Sequence, residues 1–224
     1  MIQPQRLLIG GNEAVAYAAM TADVRLAAGY PGTPSTEILE NLSALGGPAQ
    51  WSPNEKVALE VGIGAAYGGA RALVTMKHVG LNVAADPLFT VAYTGVTGAL
   101  VLAVADDPGM HSSQNEQDTR RYAVAAGVPL LEPASSQEAY DTVLRAVEIS
   151  ERWGLPVIVR LTTRISHAKG VVNTREPMPQ AREPHFEHDL KSRVMIPGFA
   201  RPAHRRLRAK LDEIARWNES DEAA

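Results

Sequence analysis

The sequence predicts an α/β fold, a doubly wound and mostly parallel sheet, and three observations carry that expectation. Short apolar stretches alternate with helical patterns from Leu7 to Leu161, the order that parallel βαβ units impose. Gly98 to Asp106, GALVLAVAD, is an unbroken apolar run, as a strand covered on both faces requires. Residues with chemistry gather just after the strand-like stretches, where ligands meet open α/β sheets.

Taken in order, Leu7 to Gly11 reads as a first short strand. Asn12 is placed to cap the helix that follows, with Glu13 in its first turn, where a carboxylate suits the dipole. Val24 to Gly29 is a second strand, running into Tyr30-Pro31-Gly32-Thr33-Pro34-Ser35. Pro34 suits a first helical turn, Thr33 is the candidate cap, and a helix is expected over Ser35 to Leu45. The turn Gly46-Gly47-Pro48 leads to a brief strand at Gln50 to Ser52.

The central unit is Trp51 to Asp86. After a loop carrying Glu55, helical periodicity runs through Val57, Val61, Ile63 and Ala66, with glycines at 62, 64, 68 and 69. Helical glycines cost roughly 0.5–1 kcal/mol each relative to alanine, so these are expected to serve close approach to another element or ligand. The strand Ala72 to Met76 then delivers Lys77, His78, Gly80 and Asn82 at its C-terminal end, and Pro87 to Thr94 continues as helix.

Beyond the apolar run, Asp107 to Arg121 is a polar loop turning into a helix over Asp118 to Ala126. Val128 to Glu132 and Pro156 to Leu161 read as strands, with an amphipathic helix over Ser136 to Arg152 between them. Residues 1–165 are thus one α/β domain. Residues 166–224 read as an extended arm rich in Pro, His and Arg, then an amphipathic helix spaced by Leu207, Leu211, Ile214 and Trp217. That helix is expected either to dock on a partner or to fray.

Composition closes several routes. The 224 residues carry a net charge of −3, which gives no basic field for nucleic acid. There is no cysteine, hence no disulfide, no thiolate cluster ligand and no Cys nucleophile. No apolar run approaches the roughly 18 residues of a membrane span, and MIQPQRLLIGG is too short an apolar stretch for a signal peptide, so a cytoplasmic setting is expected. Gly10-Gly11-Asn12-Glu13 follows a strand without the G-x-G-x-x-G spacing, and there is no P-loop. No G-x-S-x-G elbow marks a serine hydrolase. The six histidines show no metal spacing.

Three ordered motifs carry a resemblance: Tyr30-Pro31-Gly32-Thr33-Pro34-Ser35, Asn54-Glu55-Lys56-Val57-Ala58, and Val74-Thr75-Met76-Lys77-His78-Val79-Gly80-Leu81-Asn82. Together they resemble the pyrimidine-binding domain of 2-oxoacid:ferredoxin oxidoreductases, with the greatest likeness to indolepyruvate-specific α subunits, over residues 6 to 205.

The resemblance implies thiamine diphosphate as cofactor, with Glu55 matching the glutamate that hydrogen-bonds N1′ of the aminopyrimidine and activates the coenzyme. Pro31, Gly32 and Thr33 match the loop beside the cofactor, and Thr33 the position that reaches towards the 2-oxoacid; a plain helix cap is the other reading of that hydroxyl. Lys77, His78, Asn82, His111 and Asn115 are candidate substrate contacts, with solvated loop residues as the alternative. Glu60 reads as a surface or interface charge, and Tyr30 and Trp51 as packing.

The family's Gly-Asp-Gly signature for Mg²⁺ and diphosphate, and its cluster-ligating cysteines, are missing. The resemblance therefore implies a diphosphate-binding domain or subunit on another chain, bearing Mg²⁺ and iron–sulfur clusters, and a ferredoxin-type acceptor. The substrates it implies are an aryl 2-oxoacid and CoA, in a dimer or heteromer. A non-oxidative 2-oxoacid decarboxylase subunit and an inactive scaffold domain are the rival readings.

Overall fold

A computed structural model describes residues 3–180 and 183–220; residues 181–182 and 221–224 of the expected arm and helix lie outside it. The chain runs β1 (Arg6–Gly10), α1 (Gly11–Thr21), β2 (Leu26–Gly29), α2 (Thr36–Ala44), β3 (Ala49–Trp51), α3 (Glu55–Tyr67) and β4 (Ala72–Lys77). Then come α4 (His78–Val83), α5 (Ala85–Thr94), β5 (Leu100–Asp106), α6 (Thr119–Ala126), β6 (Leu130–Leu131), α7 (Ser136–Trp153) and β7 (Val157–Thr162). It ends with α8 (Thr163–His167), β8 (Lys169–Asn173), α9 (Leu190–Arg193) and α10 (Pro197–Asn218).

Six strands form one parallel sheet in the order β3-β2-β4-β5-β7-β6. All seven residues of β5 are buried, and they divide by period two. Val101, Ala103 and Ala105 face a core with Val15, Leu42 and Tyr140, whereas Leu100, Leu102 and Val104 face one with Leu59, Leu81 and Leu88. Helices α1, α2 and α7 thus cover one face, and α3, α4, α5 and α6 the other. Gly62 shows why α3 carries glycine: a Cβ there would lie 2.4 Å from Val74 Cγ2 of β4. Gly64 faces open space.

Three local expectations change. The first strand does not enter the main sheet; β1 pairs antiparallel with β8, from Arg6↔Asn173 to Gly10↔Lys169. Asn12 is not the cap of α1, which begins at Gly11 with Gly10 in the cap position. The apolar stripe of α10 is used within this chain: Ala203 and Leu207 are buried, Leu211 and Ile214 pack on the α3–α6 side, and Trp217 reaches the opposite core. The chain before it is tied down by Arg71, which forks onto Glu151 and donates to the carbonyls of Ala22 (2.8 Å) and Met178 (2.5 Å). Among the described residues no helix is long and apolar enough to cross a membrane.

Candidate functional site

β2 and β4 are parallel neighbours, yet the chain leaves β2 for α2 on one face and β4 for α4 and α5 on the other. Their loops part at the C-terminal edge of the sheet, the switch point at which open α/β sheets carry their ligand crevice. Pro31, Gly32 and Thr33 form one lip, Lys77 and His78 the other.

On the first lip the hydroxyls bond backward. Thr36 Oγ1 accepts from the Gly32 amide at 2.8 Å, and Ser35 donates from both its amide and its hydroxyl to the Gly32 carbonyl. Helix α2 therefore starts at Thr36, one residue later than expected, and Thr33 does not cap it. Thr33 and Pro31 are exposed. The Thr33 hydroxyl has no hydrogen-bond partner among the described residues. Gly32 lies under the Lys77 stem, where a Cβ would sit 3.0 Å from Lys77 Cδ.

On the second lip both side chains are buried and engaged. Lys77 Nζ donates to the Ser112 carbonyl at 3.1 Å. His78 Nε2 lies 2.9 Å from the Asn115 carbonyl, an acceptor, so that nitrogen carries the proton; Nδ1 is buried without a partner. The strand end thus holds the 107–118 loop across the crevice. Asn115 contributes its carbonyl to His78 while its side chain accepts from Gln117. Asn82 is exposed and donates to the Tyr122 hydroxyl at 2.7 Å. The His111 ring is exposed and makes no hydrogen bond among the described residues.

The loop is staked at its base by Asp107, a residue the sequence marked only as the loop's start. Asp107 is 1 % exposed and accepts from the Ser112 amide (2.8 Å), the Ser113 hydroxyl (2.7 Å) and the Thr163 hydroxyl (2.9 Å). Burial pushes its carboxyl up, but these bonds and one from the His111 amide outweigh it and hold the group well below the usual carboxylate range. Beside it, Asp106 pairs with buried Arg160 at 2.7 Å and receives the Thr119 amide at 3.1 Å. An Arg inside PVIVRLTT was the available sequence signal for that pair.

Glu55 is the first residue of α3, behind Asn54, whose side chain caps the Val57 amide at 2.9 Å. It is 8 % exposed and has no hydrogen-bond partner among the described residues. Its side chain lies against α4: a Cβ at Gly80 would stand 2.6 Å from Glu55 Cγ and Oε1. A nearly buried carboxylate left unpaired is costly, so this one is arranged for a donor that the described residues do not supply. Glu60, as expected, is exposed, 4.0 Å from Lys56. Tyr30 and Trp51 are not core packing; at 41 % and 47 % exposure they stand near the paired ends of β2 and β3.

Comparison with known proteins gives the same picture of the chain. A family model described as pyruvate flavodoxin/ferredoxin oxidoreductase, thiamine diP-binding, matches residues 17–206. The chain is 47 % identical over 227 residues to indolepyruvate oxidoreductase subunit IorA of Archaeoglobus fulgidus, covering 97 % of this chain and 36 % of that one. It is 48 % identical over 213 residues to the IorA subunit of Methanothermobacter thermautotrophicus, covering 93 % and 34 %. It therefore spans about a third of the length of these curated relatives. A solved structure, 2-oxoglutarate:ferredoxin oxidoreductase from Magnetococcus marinus, shares the fold with a TM-score of 0.75 at 14 % identity, covering 97 % of this chain and 47 % of that one. With the greater part of its length inside the family match, this chain belongs to the thiamine diphosphate-binding pyruvate flavodoxin/ferredoxin oxidoreductase family.

Proposed function

We propose that this chain is the pyrimidine-binding part of a 2-oxoacid:ferredoxin oxidoreductase that oxidatively decarboxylates an aryl pyruvate such as indolepyruvate to its acyl-CoA. The names of its nearly half-identical relatives support the substrate class. The observation that carries the reading is Glu55, a carboxylate 8 % exposed and unpaired, lying against a glycine.

The residues present fit one end of thiamine diphosphate. Glu55 offers an acceptor for a ring nitrogen, and Gly80 leaves room for the carboxylate to hold that pose. The chain spans about a third of the length of its curated relatives, and Mg²⁺ and the diphosphate are assigned in this reading to a partner domain or chain. That partner, an iron–sulfur relay and a ferredoxin-type acceptor complete the assembly, in a cytoplasmic setting.

Thiamine diphosphate, when bound, supplies the nucleophilic carbon and the electron sink for decarboxylation. Glu55 holds the pyrimidine and shares a proton with its ring nitrogen. The free Thr33 hydroxyl hydrogen-bonds the 2-oxoacid. Lys77 and His78 keep the 107–118 loop over the crevice and so limit water there. In the assembled complex, Glu55→Gln is expected to remove turnover and weaken thiamine diphosphate binding without lowering the melting temperature measured free of cofactor. Near-normal turnover would overturn the reading. Aldehyde release without an acceptor would instead indicate the non-oxidative decarboxylase.

A further inference from the structure

We propose that Asn12 is a positioning residue for the Gly32–Ser35 segment, acting on the Thr33 hydroxyl through the Pro34 carbonyl; the inference rests on the function proposed above. Asn12 is 2 % exposed, in the first turn of α1. Its Nδ2 donates to Pro34 O at 2.7 Å and to Glu37 Oε2 at 3.1 Å. Its Oδ1 is buried with no partner.

A buried amide with its acceptor half unmet is a poor choice for stability alone. Its α1 neighbours Ala14, Val15, Ala18 and Ala19 are small, apolar and fully buried, and an apolar residue at 12 would remove the unmet acceptor. What the amide provides is its donor. Within the segment, the Gly32 amide and carbonyl are already held by Thr36 and Ser35. The Thr33 carbonyl has only a long contact, 3.5 Å, from the Ser112 hydroxyl. The bond from Asn12 is the short, buried anchor that reaches the segment from another helix. Proline fixes its own φ, which holds the Pro34 carbonyl carbon at one angle to the Thr33–Pro34 peptide, so an anchor on that carbonyl restricts the lie of Thr33. Thr33, exposed and unpartnered, then presents its hydroxyl in one direction.

The test uses the assembled complex carrying Asn12→Leu, with Asn12→Ala, which removes the donor without placing a carboxyl beside Glu37, as the second variant. KM for the 2-oxoacid should rise about tenfold while kcat and thiamine diphosphate affinity stay within about twofold. Amide exchange should quicken at Gly32, Thr33 and Ser35 but not in the 107–118 loop. In a Thr33→Val background the Asn12 effect on KM should vanish, since the two act as one unit. Unchanged KM and exchange would overturn the inference, as would a uniform loss of kcat and cofactor affinity. A wild-type complex that binds no thiamine diphosphate would instead overturn the functional reading.

Discussion

Glu55 and Gly80 occupy one space: the carboxylate lies where a side chain on α4 would go, and a methyl at 80 would be 2.6 Å from Oε1. A glycine inside a helix is otherwise a liability, so this contact accounts for it. Gly80→Ala should improve helix propensity by up to about 1 kcal/mol, leaving the fold intact. It should also push Glu55 out of its pose. The expected result is thiamine diphosphate binding weakened on the order of tenfold in the assembled complex, about the effect of losing one charge-assisted hydrogen bond. Titration of cofactor binding beside a melting curve checks both halves. Native affinity would mean that Glu55 has freedom to yield.

Lys77 and His78 are committed to the Ser112 and Asn115 carbonyls. Lys77→Met keeps the stem over Gly32 and removes the ammonium. It should free the 107–118 loop without unfolding the sheet, because β4 remains buried on both faces. Limited proteolysis should then cut within this exposed loop several-fold faster than in wild type. Unchanged cleavage would show that Asp107 and His78 hold it without the ammonium.

Asp107 gives the same loop an acid limit. Its folded carboxyl titrates below the ordinary value of about 3.9. The unfolded state therefore takes up the proton first as pH falls. The stabilisation is fully present above the ordinary value and drains away between it and the lower folded value. Protection of the 107–118 amides, relative to their intrinsic exchange rate at each pH, should fall as pH drops below about 4. In Asp107→Asn the loop should be looser at neutral pH and show a flatter acid response, read as the difference between the two proteins.

These elements differ in how far the sequence disclosed them. β5 was legible because burial on both faces leaves only apolar residues in it, and Glu55 because its motif is local. β1 was not assigned to its sheet, since a short apolar strand reads alike whichever partner it takes, and its partner is β8. Thr33, Ser35 and Thr36 all offer cap-like hydroxyls; only the fold shows that Gly32 collects two of them. The stripe on α10 was visible from Leu207 to Trp217, but periodicity states that a face is apolar and not what covers it. Asp107 depends on Thr163, which follows a different strand.

Arg71 opens a prediction about how the last third of the chain is fastened. It is 4 % exposed, forks onto Glu151 and donates to Ala22 and Met178. The Met178 amide returns a bond to Thr21 O at 2.7 Å, so one guanidinium joins α7, the turn after α1 and the strap that precedes α10. Arg71→Met fills a similar length with apolar atoms but leaves two carbonyls without their donor. Glu151 keeps access to water, at 35 % side-chain exposure, which places the loss at the low end for a broken buried pair, about 3 kcal/mol. Denaturant unfolding should show this as a lower midpoint at an unchanged slope. If the strap detaches before the sheet unfolds, hydrogen exchange should quicken around Met178 first, while β5 keeps its protection. A loss below about 0.5 kcal/mol, the scale of ordinary surface substitutions, would mean that the strap is held by its other contacts and that Arg71 only decorates it.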